Sequence, residues 1–127
     1  MTIGYVTIGA HDVEQAQGFF DPVLGALDYE RTMPFEGWAF YGPRGGDPCV
    51  GLCRPHDGEA PRAGNGIMVA FRAPTKAQIQ ASYDAALANG GSDEGAPGYR
   101  PAEATRGFYA AYFRDPVGNK FCIYLMD

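Results

Sequence analysis

Cys49, Cys53 and Cys122 are the thiols of this chain, and His11 and His56 are its imidazoles. A nucleophilic or soft-metal site would have to draw on them. Cys49 and Cys53 are spaced C-x-x-x-C, but no nearby Cys or His pair completes a zinc knuckle. Their odd number and apolar, strand-like surroundings read as buried, reduced thiols. For Cys122 to act as a nucleophile, a base or cation must lower its thiol pKa. Lys120 is two residues away on the same strand face, and nothing in the sequence aims its ammonium at the sulfur. His11 stands beside a helix cap and His56 in a polar connector, so both read as surface residues.

The elements that must position these groups come as one pattern written twice. Shifted back by 63 positions, residues 66–87 fall on residues 3–24, matching Val6 with Val69, Ala10 with Ala73, Gln15 with Gln78, Asp21 with Asp84 and Leu24 with Leu87. Residues 3–9 alternate and carry β-branched side chains, the pattern of a strand. Asp12, with Gln15 three residues on, opens a helix whose apolar stripe is Val13, Ala16, Phe20 and Leu24. Pro22 predicts a kink or a restarted turn near Asp21. Strand candidates follow at 29–34, 37–41 and 48–53, and the polar, Pro- and Gly-rich stretch 54–65 reads as a connector.

The second copy begins with strand 66–73 and the cap Thr75 with Gln78. Its helix stripe is Ile79, Tyr83, Ala86 and Leu87, and it stops at Asn89-Gly90-Gly91. Ser92 to Gly107 reads as a long loop with an irregular or short strand inside it. Residues 108–114 and 120–126 then form an antiparallel hairpin around the turn Asp115-Pro116-Val117-Gly118-Asn119. The fold class is α+β: two tandem β-α-β-β-β modules forming a curled mixed sheet around a cavity. The chain reads as one domain over 1–127, with module 1 at about 1–56, the connector at about 54–65 and module 2 at about 66–127.

A formal charge of -5 gives an acidic surface that repels phosphate backbones, which argues against nucleic acid as a partner. No segment reaches the roughly 18 apolar residues of a membrane span. The first residues also lack the basic and apolar pattern of a signal peptide. With reduced thiols, these features lead to the expectation of a cytoplasmic protein with no membrane partner.

The two-module order, with VTIGAHDVEQAQGFFDPVLGALDY, GNGIMVAFRA, GGSDEGAPGYRP and YFRDPVGNKF, resembles the vicinal oxygen chelate superfamily, and within it the glyoxalase, bleomycin-resistance and dioxygenase-like proteins. The resemblance implies paired modules around a cavity, a homodimer, and a divalent metal held by His and Glu from the first and last strands of each module. At those places this chain carries Tyr5 and Met68 instead of His, and Cys122 instead of Glu. The strand from Pro48 to Cys53 holds no acidic residue. A phenol, a thioether and a thiol poorly suit a hard divalent ion, so neither a metal nor another cofactor is expected.

If Tyr5, Met68 and Cys122 face the cavity, alternation adds Thr7, Ala70 and Tyr124, and Trp38 or Phe40 and Tyr109 or Tyr112 extend the aromatic wall. Arg72 and Arg100 are candidate anion anchors at its rim. The expected ligand-binding set is therefore Tyr5, Trp38, Phe40, Met68, Arg100, Tyr109 and Cys122, holding a small aromatic or amphipathic organic molecule. The alternatives are a lyase, isomerase or dioxygenase-type enzyme with an atypical site, in which Tyr5 could serve as general acid, and a non-catalytic interaction domain.

Overall fold

The computed structural model describes residues 3–127. Its elements are β1 (Val6–Gly9), α1 (Val13–Gly25), β2 (Tyr29–Phe35), β3 (Trp38–Pro43), β4 (Val50–Cys53), β5 (Met68–Arg72), α2 (Lys76–Ala88), β6 (Ser92–Tyr99), β7 (Phe108–Arg114) and β8 (Lys120–Met126). They build two separate four-stranded sheets with the same plan, β1-β4-β3-β2 and β5-β8-β7-β6. In each, the first strand pairs in parallel with the last, and the other pairings are antiparallel. The two modules of this α+β fold are structural copies.

The duplication is most literal in the helices. Both have 13 residues, and each opens on a side-chain cap: Asp12 accepts from the Gln15 amide and Thr75 from the Gln78 amide. Helix α1 runs through Pro22 to Gly25 as one continuous element, without the restarted turn that is one of the two outcomes the sequence predicts near Asp21. Only the last turn follows the proline, and burial of Phe19, Phe20, Val23 and Leu24 on both sides of it holds the helix together. In α2 the buried face is Ile79, Ser82, Tyr83 and Ala86, while Leu87 is exposed.

Strand alternation sends Ala39, Tyr41, Val50, Leu52, Phe71, Phe113, Phe121 and Ile123 toward the helices, into one core drawn from both modules. Phe20 of α1 meets Tyr41 of the first sheet and Phe121 of the second, and Tyr29 meets Phe71 edge-on. The helix-bearing faces of the two sheets thus meet across this core. The opposite faces stay uncovered, and within one chain the two separate sheets do not close on one another. The segment Arg54–Ile67 links β4 to β5.

Two differences from the sequence reading bear on function. Tyr5 lies just before β1, which starts at Val6. Residues 92–99 form a full strand, with register shifts around Gly95 and Gly98 that let Gly and Pro sit in a sheet.

Candidate functional site

On the open face of the first sheet the rings gather around a glycine. Gly51 lies between Thr7 of β1 and Phe40 of β3, and a Cβ built on it would stand 3.0 Å from Phe40 and 3.1 Å from Trp38. Trp38 and Phe40 stack with centroids 5.2 Å apart and planes within 3° of parallel. Tyr5 and Phe35 each meet Phe40 edge-on, at 6.2 and 6.1 Å. Tyr5 and Phe35 are more than half exposed, so this is an aromatic shelf open to solvent rather than a filled core.

Beside the shelf opens a cleft of about 1040 Å³, lined by Thr7, Gly9, Trp38 and Cys53 together with His11, His56, Asp12, Glu14 and Glu36. Both imidazoles therefore border the same space. The reason is topological: Gly9 and Cys53 are neighbours in the parallel β1–β4 pair, so the segments after the two strands emerge side by side. The sequence places His11 and His56 correctly in loops but gives no sign of that pairing.

The open face of the second sheet carries Met68, Ala70 and Arg72 on β5, Lys120, Cys122 and Tyr124 on β8, and Phe108, Ala110 and Tyr112 on β7. Phe108 and Tyr124 stack at 5.5 Å. Cys122 is buried between its cross-strand neighbours Ala70 and Tyr112. Met68 pairs with Lys120, one step along the face, and is exposed. Arg100 and Lys120 both approach the Tyr112 ring, at 5.5 and 5.7 Å from its centroid.

The expected binding set is thus divided. Tyr5, Trp38 and Phe40 meet on the first open face; Met68, Cys122 and Arg100 lie on the second. Tyr109 belongs to neither. Its ring packs toward the helices against Tyr99, under the ammonium of Lys76, because β7 alternation gives the open face to Tyr112.

Burial dominates the acid–base chemistry of the thiols. It pushes Cys122 up, outweighing the lowering effects of contact with the Tyr112 hydroxyl and of the Arg100 and Lys120 charges. Cys49 and Cys53 are raised for the same reason, although both are only half-buried. Tyr29, beside Cys49, is pushed up to about 12, mainly by burial. Near neutral pH these thiols hold their protons, so the geometry offers no activated nucleophile.

The donors do not suit a divalent ion either. Tyr5 meets the rings of the first sheet whereas Met68 and Cys122 stand on strands of the second, and among the described residues no three His, Cys, Asp or Glu side chains are grouped to hold one.

The family model described as the Glyoxalase/Bleomycin resistance protein/Dioxygenase superfamily matches residues 2–123. The chain belongs to that superfamily. A solved glyoxalase/bleomycin resistance protein from Albidiferax ferrireducens T118 is 33% identical, with 95% of each chain covered and a TM-score of 0.83. A glyoxalase/bleomycin resistance protein/dioxygenase family enzyme from Burkholderia phytofirmans PsJN shares 20% identity over 98% of each chain, with a TM-score of 0.70. A superfamily member from Sphaerobacter thermophilus DSM 20745 shares 24%, over 98% of this chain and 96% of its own, with a TM-score of 0.65. These last two likenesses show the fold alone. No curated protein matches. No helix among the described residues is long and apolar enough to cross a membrane.

Proposed function

We propose that this superfamily member binds a small aromatic or amphipathic organic molecule without a metal. The observation that carries the reading is the Trp38–Phe40 stack laid over Gly51, half-exposed beside a cleft large enough for such a ligand. A flat apolar molecule can stack on the shelf while Thr7 and the loop imidazoles supply hydrogen bonds. Because the two open faces are left uncovered within one chain, a second copy laid against them would complete an enclosed site. The homodimer implied by the resemblance is therefore part of the proposal, and light scattering in solution measures it.

The chain has a single tryptophan, so Trp38 reports directly on the shelf. Naphthalene- and indole-type compounds should quench its emission and raise the melting temperature. A ligand at a hundred times its dissociation constant adds about 2.7 kcal/mol. Chelator-treated protein given nickel, zinc, manganese, iron(II) or cobalt should show no such gain. A broad aromatic panel without effect, or metal stabilisation with stoichiometric binding, would overturn the reading.

One observation favours a second reading, an enzyme using acid–base chemistry. His11 and His56 border the same cleft as Trp38, and an imidazole has ring nitrogens able to donate and to accept a proton. Under this reading, replacing both histidines with Gln abolishes turnover of a bound compound but leaves its affinity intact. Under simple binding there is no turnover to lose.

A further inference from the structure

We infer that the ligand carries a negative charge, gripped by Arg100 and Lys120 beside the Tyr112 ring. This rests on the small-molecule reading above and names the class of molecule.

Arg100 is held in a prepared seat. Its Nη1 donates to the Tyr99 carbonyl at 3.1 Å and its Nη2 to the Ala96 carbonyl at 2.9 Å. Gly95 and Gly98 leave the space in which the guanidinium lies, since a Cβ on either would come within 3.2 Å of one of its nitrogens. The Gly-rich run of β6 therefore serves a specific local purpose, because its missing side chains and two of its carbonyls position one cation against Tyr112. A guanidinium has five N–H donors, and two carbonyls leave the rest of the fork for a ligand.

Lys120 reaches the same ring from β8. It also lines a cleft of about 450 Å³ with Arg114 and the segment Ala63–Met68, and a neighbouring one of about 270 Å³. Among the described residues neither Arg100 nor Lys120 forms an ion pair; the four ion pairs use Arg31, Arg44, Lys76 and Arg114. Two half-buried like charges converging on one ring repel one another, and an anion between them removes that repulsion.

The chain as a whole is acidic, with a formal charge of -5, so its overall field does not draw anions in. Preference for an anion must come from these local contacts. An aromatic carboxylate fits both features, with its ring on the Trp38–Phe40 shelf of one copy and its oxygens on the two cations of a second copy laid against it.

The test compares 2-naphthoate, 2-naphthylmethanol and 2-naphthylmethylammonium by calorimetry on the full chain. The carboxylate should bind about tenfold or more tighter than the alcohol, and the ammonium weaker than both. Lys120→Gln and Arg100→Gln should each bring the carboxylate close to the alcohol while leaving alcohol affinity unchanged. The Lys120 ammonium makes no hydrogen bond to another described residue, so its variant keeps the test sharp if Arg100→Gln loosens β6. Equal affinity for the three probes, or a carboxylate preference surviving both substitutions, overturns the charge inference and leaves small-molecule binding standing. Absence of binding by all three removes the underlying reading as well.

Discussion

Replacing Ser82 with Ala should cost far more than its small side chain suggests. Ser82 is completely buried, and its hydroxyl donates to the Val23 carbonyl at 2.8 Å, joining α2 of one module to α1 of the other. That carbonyl lies in the last turn of α1, where helical acceptors lose their partners. The amides that follow bond elsewhere, Ala26 to Pro22 and Leu27 to Leu24. Ser82 thus caps the first helix from the second module. Without the hydroxyl a buried acceptor is left unpaired, at a cost of about 1–3 kcal/mol. Unfolding entropy near 2.1 cal/mol/K per residue gives about 0.27 kcal/mol/K for this chain, so 2 kcal/mol lowers the melting temperature by about 7 °C. Urea titration should show a lower midpoint at unchanged slope. Gln78→Ala is the contrast, because its bond to the Ala26 carbonyl is long at 3.4 Å and only part-buried, and the bond it accepts from the Thr75 hydroxyl is exposed. A Ser82→Ala loss below about 0.5 kcal/mol, or no larger than that of Gln78→Ala, would refute the capping argument.

Phe40→Ala removes the ring shared by Tyr5, Phe35 and Trp38; we expect red-shifted Trp38 emission and a loss of about 1–2 kcal/mol in urea, and unchanged emission would show that the stack does not form. Asp115 is buried and accepts from the amides of Val117, Gly118 and Asn119 and from the Asn119 side chain. Asp115→Ala should therefore destabilise the β7–β8 hairpin by about 3 kcal/mol, read as a lower thermal midpoint. Asp127 accepts from the Tyr99 hydroxyl and the Gly107 amide and pairs with Lys76. These contacts hold its carboxyl below its ordinary 3.8, with the Tyr99 bond contributing most. A lowered folded pKa adds stability above the unfolded value and loses it as pH falls through the folded one. Asp127→Asn should accordingly flatten the stability profile below pH 3.8, and identical acid limbs would contradict this.

The repeat is the most legible feature of the sequence because it constrains several kinds of signal together. A strand pattern, a capping residue and a helix stripe recur at one offset, and the two helices indeed start and stop in that register. The features that escape a sequence reading depend on pairing. Alternation along β7 separates Tyr109 from Tyr112 but does not say which meets the helices; only packing against α2 and Tyr99 settles it. Residues 92–99 read as loop because Gly and Pro punctuate them, yet β6 is an edge strand, where a missing donor and a bulge are tolerated. His11 and His56 come together only because β1 and β4 run parallel.

The duplicated backbone also explains how one chain presents two chemically different faces. The cross-strand row Thr7–Gly51–Phe40 in the first sheet occupies the place of Ala70–Cys122–Tyr112 in the second. In the first row the middle residue has no side chain, so the Phe40 ring and its stacked partner Trp38 settle over the strand. In the second row the Cys122 sulfur fills that space, and the Tyr112 ring instead meets Arg100 and Lys120. The same registers therefore yield a neutral stacking shelf in one module and a cationic aromatic patch in the other. A ligand spanning two such faces, one from each copy in a dimer, would be recognised at one end by its π-surface and at the other by its charge.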